Sequence, residues 1–285
     1  MKIGIVHPGL ELGSTKQALA GIGRAAEELG YDHFAMFDHV LGATHEGRDP
    51  PLTGYAFETD PFNDPFVAFG YLAAITQRIE LVTGILILPQ RQTALVAKQA
   101  VDVDLLSEGR LRLGVGLGWN YVEYDALGQD FHTRGRRMAE QIGLLRRLWT
   151  EPLISFEGEF DRIDRAGILP LPGRHIPIYT GGVSEPAFER AARLADGFMF
   201  FGPVDFCLDS MASVKRHLAR FGRAEADFGF HYMIQDNQES IRQNREYLAR
   251  WRDAGGNHAT VNSMARKMTT IEQHVEFFAE VKAGL

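Results

Sequence analysis

The stretch RLRLGVGLGWNYVEYDALG, Arg110 to Gly128, carries glycines at 114, 116 and 118 and then Trp119, and its reading separates two α/β architectures. In a doubly wound sheet, a Gly-x-Gly-x-x-Gly run joins a strand directly to a helix, so that a pyrophosphate meets the helix N-terminus. Here the third position after Gly116 is Trp119, and the next long helical segment begins only near Arg134. Spacing and context both exclude the dinucleotide fingerprint. Between them, Asn120 and Glu123 fit a small capping box that opens a turn or two of helix, ended by Gly128. Alternation puts Leu111, Leu113, Val115 and Leu117 on one strand face and the glycines on the other. Inward glycines leave room at a barrel mouth, and outward glycines let a helix pack closely. The stretch alone leaves both open.

Outward from this strand, short apolar runs alternate with amphipathic segments along the chain. KIGIV from Lys2 precedes a helix from Ser14 to Leu29, HFAMF from His33 precedes a long loop and a helix near Asp64 to Thr76, and IELVTGILIL from Ile79 leads into TALVAKQAVDVDLLS. RLRLGVG leads to a helix from about Arg134 to Trp149, IPIYT from Ile176 to one at Glu185 to Leu194, and GFMFF from Gly197 to one at Phe206 to Arg220. DFGFHYMI from Asp227 precedes Glu239 to Arg252, and HATVN from His258 precedes Ile271 to Val281. Eight such pairs in 285 residues predict an α/β fold, a (β/α)8 TIM barrel forming one domain over residues 1–285, with insertions after strands 2 and 4. The insertions are Val40 to Asn63 and roughly Glu151 to His175. The first follows strand two, at the face where barrel active sites form, and its Tyr55 and Phe57 fit a moderately apolar substrate or packing anchors.

Composition narrows the partners. The 30 Lys and Arg against 37 Asp and Glu give a formal charge of −7, without the clustered basic residues that phosphate neutralisation needs, so nucleic acid is not expected. The single cysteine, Cys207, cannot form an internal disulfide and reads as a small buried side chain in a reducing, cytoplasmic setting. Met1 leads straight into KIGIV, and no run reaches the ~18 apolar residues of a membrane span, so neither secretion nor membrane insertion is expected. The ten histidines form no His-Glu-x-x-His pattern and no Cys/His cluster, which predicts no dedicated metal site. A Gly-x-Ser-x-Gly elbow is absent, and the lysine of GLELGSTK, Gly9 to Lys16, does not directly follow the glycine as in a P-loop.

Two further constellations carry chemistry. Asp38 and His39 follow a hydrophobic strand directly, a pairing that suits general acid/base work or hydrogen bonding to a ring cofactor, and equally suits an ordinary loop. Gly181 and Gly182 end another strand, with Ser184 placed to cap the next helix. Backbone N–H groups there would cradle a phosphate without any Lys or Arg, or simply open a capped helix.

As a set and in this order, FDHV at Phe37 to Val40, the run from Leu81 to Asn120, FHTRGRRMAEQIGLLRRLWTEP at Phe131 to Pro152, and IYTGG with LADGF resemble the bacterial-luciferase-like superfamily of flavin- and deazaflavin-dependent oxidoreductases. The likeness runs from Lys2 to about Phe201. It implies a barrel binding FMN or the deazaflavin coenzyme F420 at its C-terminal mouth, a small-molecule substrate, a homo-oligomer such as a dimer, and a separate flavin or F420 reductase. Carried over, Asp38 and His39 flank the cofactor ring, with His39 as the base and Asp38 as its orienter. Gly84, Ile85 and Leu86 correspond to a backbone bulge, often with a non-proline cis peptide, that supports one ring face. Gly118, Trp119 and Asn120 line the cofactor channel, while Gly181, Gly182 and Ser184 hold the phosphate end. Trp119 stands where deazaflavin-dependent sugar dehydrogenases of the family carry an acidic glutamate, which points away from that substrate class. The Gly-x-Gly-x-Gly-Trp version of the motif leans toward F420-dependent hydride transfer. The alternatives are an oxygenase fed with reduced FMN and a non-catalytic flavin-binding protein.

Overall fold

A computed structural model describes residues 1–13, 15–53, 58–234 and 240–285, so Tyr55 and Phe57 lie outside the described residues. The first half of the chain runs β1 (Lys2–Val6), α1 (Gly9–Leu12), α2 (Lys16–Glu28), β2 (His33–Met36), α3 (Pro65–Ile75), β3 (Glu80–Thr83), β4 (Leu86–Ile87), α4 (Thr93–Leu106), β5 (Leu111–Gly116), α5 (Tyr121–Ala126) and α6 (Arg134–Thr150). The second runs β6 (Ile154–Glu157), β7 (Arg162–Ala166), β8 (Ile178–Gly181), α7 (Glu185–Leu194), β9 (Gly197–Phe201), α8 (Val204–Arg220), β10 (Gly229–Met233), α9 (Ile241–Asp253), β11 (His258–Val261) and α10 (Ile271–Lys282). Parallel neighbours follow the order β3, β2, β1, β11, β10, β9, β8, β5, and pairing of β3 with β5 closes the ring. The predicted eight-stranded barrel is the fold.

The helices start where their caps dictate. Asp64 accepts from Phe66 N at 2.9 Å and Val67 N at 3.1 Å with Pro65 in the first turn of α3, and Thr270 forms a reciprocal capping box with Gln273 at α10. Strand periodicity then sorts the side chains. Ile3, Ile5, Phe34, Leu81, Leu113, Val115 and Phe198 are buried in the layer shared with the helices, while Val6, Ala35, Val82, Met199 and Met233 form a separate cluster inside the ring.

The barrel interior answers the question posed by the glycines. A Cβ on Gly114 would stand 2.6 Å from Met199 Cε, and one on Gly116 only 1.7 Å from Ile85 Cδ1. Both glycines face inward; Gly114 makes space for Met199 and Gly116 for Ile85.

The insertions differ in kind. Val40 to Asn63 follows β2 at the barrel mouth, as expected. The other joins α6 to β8 and contains the antiparallel hairpin β6–β7. The Glu140 carboxylate of α6 accepts from the N–H groups of Glu159, Phe160 and Asp161, and Thr93 Oγ1 donates to Asp161 Oδ2 at 2.6 Å. This hairpin is fastened to the starts of α4 and α6 and supplies none of the mouth residues described below.

Candidate active site

The mouth is built from residues just past the strand ends. His39 follows β2, and its Nδ1 lies 3.0 Å from Oε2 of Glu123 on α5, a carboxylate with no solvent exposure. The other oxygen of Glu123 accepts from Val40 N at 2.5 Å and Leu41 N at 3.2 Å. A carboxylate ringed by N–H donors acts as acceptor, so His39 carries its proton on Nδ1 and its lone pair on Nε2. Phe62 and Trp119 flank the imidazole, with ring centroids 5.0 and 6.0 Å away, and His45 lies 6.0 Å from Trp119 on a second side.

This geometry corrects one expectation. The carboxylate bonded to His39 Nδ1 is Glu123, not Asp38. Asp38 Oδ2 accepts from Ile87 N at 2.9 Å, and Oδ1 accepts from Arg91 Nη2 at 2.7 Å, while Arg91 Nη1 reaches Asp64 at 3.0 Å. Burial pushes the Asp38 carboxyl above its ordinary range, against the pull of Arg91 and the Ile87 N–H. Burial alone would lower Arg91, but the two carboxylates overcome it and hold the guanidinium above its usual value. Asp38 therefore ties β2 to the β4 segment and to the start of α3. Because it grips Ile87, it positions the bulge rather than the base.

That bulge is present. The Gly84–Ile85 peptide is cis, and Ile85 lies across the inner mouth against Gly116 and Gly181, whose added Cβ would meet Ile85 Cγ2 at 3.5 Å. Leu86 is buried in β4. Gly118 has φ +63°, where a Cβ would sit 2.8 Å from Ile87, so the chain turns there only with glycine. Asn120 caps α5 by accepting from Val122 N at 3.1 Å and donates to Leu41 O at 3.2 Å, which ties the long loop to the helix. The capping box is thus only half formed, because Glu123 is spent on the loop and His39.

At the other side, Gly181 ends β8 and Gly182 turns with φ +148°. Ser184 is the N-cap residue of α7 by backbone, but its side chain makes no cap hydrogen bond. Cationic groups gather where α6 begins, beside α7. Arg134 and Arg137 on the first turn of α6 are near enough to act electrostatically on the Tyr124 hydroxyl, which donates to Leu117 O at the end of β5. Arg190 of α7 lies beside the same turn, 3.7 Å from where a Cβ on Gly135 would be. The Nε atoms of all three are buried without a partner, and among the described residues the ion pair on this turn is that of Arg136 with Glu159 at 3.1 Å. Sequence reading missed these arginines because their convergence depends on two helices meeting.

A small recess beside the base is lined by His7, Met36, Phe37, Phe62 and Met264. His7 is buried, neither ring nitrogen completes a hydrogen bond, and burial lowers it to about 4, so it is a neutral imidazole in an apolar wall. Cys207 is buried inside the helical layer, and burial pushes its thiol up to about 12, far from any reactive thiolate. No group of His, Cys, Asp and Glu among the described residues is arranged to hold a metal ion, and no described helix is long and apolar enough to cross a membrane.

Fold and mouth define a (β/α)8 barrel with a histidine–carboxylate pair and a glycine-lined bulge at the strand C-termini. The sequence profile of the luciferase-like monooxygenases matches residues 1–279, and the chain belongs to that family. An uncharacterised protein of Mycobacterium tuberculosis (strain ATCC 25618 / H37Rv) is 34% identical over 220 residues, covering 75% of this chain and 76% of the relative. An F420-dependent glucose-6-phosphate dehydrogenase of Nakamurella multipartita is 34% identical over 184 residues, 64% of this chain and 51% of that one. An FMNH2-dependent dimethylsulfone monooxygenase of Pseudomonas fluorescens (strain Pf0-1) is 35% identical over 153 residues, 52% of this chain and 41% of that one. Among solved structures, an F420-dependent secondary alcohol dehydrogenase superposes with a TM-score of 0.78 at 17% identity, covering 98% of this chain and 97% of the other.

Proposed function

We propose that the chain is an oxidoreductase that seats a deazaflavin, coenzyme F420, at this mouth and exchanges hydride with a small organic substrate. The observation that carries the reading is the His39 and Glu123 pair, set beside the Ile85 bulge. The residues present fit such a group. Gly116 and Gly181 let Ile85 lie flat across the inner mouth, and three arginines without carboxylate partners among the described residues gather at the first turn of α6 and on α7, the helix that Gly182 and Ser184 lead into. When bound, the cofactor supplies the redox chemistry. The chain supplies position, exclusion of water and a proton-transfer group.

In this reading the Gly84 to Leu86 bulge supports one ring face, with Asp38 fixing it through Ile87 N. Trp119 and Phe62 shield the ring edge and His39 from water. Glu123 holds Nδ1–H of His39, so Nε2 accepts a proton from a substrate hydroxyl in one direction and returns it to the product oxygen in the other. Gly181, Gly182 and Ser184, with Arg134, Arg137 and Arg190, hold the anionic end of the cofactor. The recess at His7, Met36 and Phe62 takes a compact, largely apolar substrate. Trp119 cannot donate a proton, and sugars are not part of this proposal.

One observation favours a second reading, an oxygenase using reduced FMN supplied by a separate reductase. Three guanidiniums without a carboxylate partner among the described residues suit the dianionic phosphate monoester of FMN. Titration of the purified protein with FMN and with F420, followed by absorbance and tryptophan fluorescence, separates the two. Micromolar binding of F420 alone supports the first reading, binding of FMN alone supports the second, and binding of neither overturns both. With a substrate in hand, His39→Ala lowers turnover about a hundredfold or more while leaving cofactor affinity within about threefold. Unchanged turnover removes the role given to His39.

A further inference from the structure

The end of the barrel away from His39 holds a second cavity. It occupies about 230 Å³ among the strand N-termini, and its walls include Lys2, Glu80, Arg112, Arg174, Tyr179 and His258. Four cations gather there, Lys2, Arg110, Arg112 and Arg174, against Glu80 and the Asp104 that holds Arg174. Arg110 is spent on the carbonyls of Ala73, Thr76, Ile79 and Ser107 and has the carboxylates of Glu27 and Glu108 within electrostatic reach, so the excess charge of the cavity comes from Lys2, Arg112 and Arg174 against Glu80 and Asp104.

Arg112 is the centre of the arrangement. It is 4% exposed, Nη2 donates to Glu80 at 3.1 Å, its guanidinium lies over the Tyr179 ring at 5.1 Å, and Nε has no partner. Nη1 stands 3.3 Å from His231 Nδ1, and since an arginine only donates, that nitrogen is an acceptor. His231 therefore carries its proton on Nε2 and donates to Thr260 Oγ1 at 2.6 Å, and Thr260 in turn donates to His33 Nε2 at 2.7 Å. All members of this relay are neutral. Burial, aided by Arg112, pushes both histidines well below their ordinary value.

His258 is fixed in the same way. The Asn257 amide donates Nδ2–H to Phe228 O at 2.9 Å, so its Oδ1 accepts from Phe230 N and from His258 Nδ1 at 2.8 Å. The other ring nitrogen, Nε2, is a lone-pair acceptor with no partner among the described residues. The cavity thus combines excess positive charge with a hydrogen-bond acceptor. A fully deprotonated anion satisfies the first and leaves the second unmet. A phosphate that retains a proton satisfies both.

We propose that this cavity is a binding site for inorganic phosphate or the phosphate group of a compact monoester, with Arg112 and Lys2 taking its charged oxygens and His258 Nε2 accepting from its P–OH. The chemistry selects phosphate over sulfate, which carries no proton near neutral pH. Titration calorimetry on the full chain, in chloride buffer of matched ionic strength, uses inorganic phosphate, sulfate and glycerol 3-phosphate as probes. Saturable phosphate binding is expected, with sulfate weaker by about tenfold, the worth of one charge-assisted hydrogen bond. Tighter glycerol 3-phosphate identifies a monoester as the ligand class, and tighter inorganic phosphate identifies the free ion.

Lys2→Met weakens phosphate severalfold, and His258→Gln, which adds a donor, erases the preference over sulfate. Both are chosen because Arg112→Met empties a buried position and risks unfolding. Arg165→Ala, on the exposed hairpin, leaves the preference unchanged. The proposal is overturned by absence of saturable binding, by equal affinity for phosphate and sulfate, or by a preference that survives His258→Gln or disappears in Arg165→Ala.

Discussion

The two ends of this barrel are both lined by imidazole and guanidinium, half-buried at the mouth and buried at the floor, yet they handle them in opposite ways. At the mouth, His39 and Arg91 meet carboxylates, Glu123 and Asp38, and each carboxylate also binds backbone N–H groups of a loop or bulge. At the floor, Arg112 meets two neutral histidines through a hydroxyl relay, with Glu80 at the rim. The mouth spends charge to fix loop backbone and to aim one basic nitrogen. On the floor, a neutral histidine meets one side of a buried cation whose carboxylate partner, Glu80, is shared with Lys2. The difference follows from where the residues sit, since mouth groups come from loops with free N–H groups and floor groups from strands whose N–H groups are committed to the sheet.

The largest effect that tests this contrast is expected at Glu123. Glu123→Ala leaves the N–H groups of Val40, Leu41 and His39 without their acceptor in a fully buried position. It should cost about 3–5 kcal/mol in denaturant unfolding and lower turnover at least as far as His39→Ala does. Glu123→Gln keeps one acceptor oxygen and should recover about half of the stability but little of the rate. Equal stability of Glu123→Ala and the parent breaks the view that this carboxylate assembles the mouth.

Acid tests the floor. His33, His231 and His258 are held neutral by burial, and His7 at the mouth is lowered to about 4 from an ordinary 6.5. Below pH 6.5 the unfolded chain binds protons that the folded chain refuses, so stability is whole above 6.5 and falls as the pH drops, with the His7 share complete near pH 4. Each such histidine steepens the slope by up to about 1.4 kcal/mol per pH unit. Urea unfolding at pH 7.5, 6 and 5 should show the decline. A flat profile removes the neutral relay.

Much of this was legible in the sequence. Eight alternating pairs predicted the barrel, and the boundaries of α3, α7 and α10 fell within a residue or two of those read from the amphipathic pattern. His39 and Trp119 do lie together at the mouth, Ile85 lies against Gly116 and Gly181, and the Gly114 and Gly116 faces turn inward. Partner choice was the part that spacing hides. Asp38 is next to His39 in the chain, but consecutive residues leaving a strand diverge, and the carboxylate that reaches the imidazole comes from 84 positions away. Glu123 carried a plausible local role at position N3 of α5, and that local reading masked the long-range one. The floor was silent for a further reason. Arg112, His231 and Thr260 each look like ordinary alternating strand residues until closure of β3 on β5 brings them together.

The arginines at the mouth sharpen the contrast by an intermediate effect. Arg137→Ala and Arg190→Ala should each weaken a phosphate-bearing cofactor about tenfold and leave riboflavin, which lacks the phosphate, unaffected. Equal losses for FMN and riboflavin would show that they act on the ring or on the fold instead. Neither change should alter phosphate binding at the floor, because the sites lie at opposite ends of the strands.

The smallest effect concerns Ser184. A serine at an N-cap ordinarily contributes about 1 kcal/mol through its side chain, and its replacement by alanine destabilises the helix by that amount. Here α7 starts without a side-chain cap, while Thr15 accepts from Ala18 N at 3.1 Å and Thr270 closes a complete box. Thr270→Ala should therefore cost about 1 kcal/mol in urea unfolding, and Ser184→Ala less than about 0.5 kcal/mol. If the hydroxyl of Ser184 is held for the cofactor phosphate, the same Ser184→Ala protein binds FMN or F420 severalfold more weakly despite its intact stability. A stability loss equal to that of Thr270→Ala, with unchanged cofactor affinity, would return Ser184 to the role of a plain helix cap and leave the phosphate to Gly182 and the arginines.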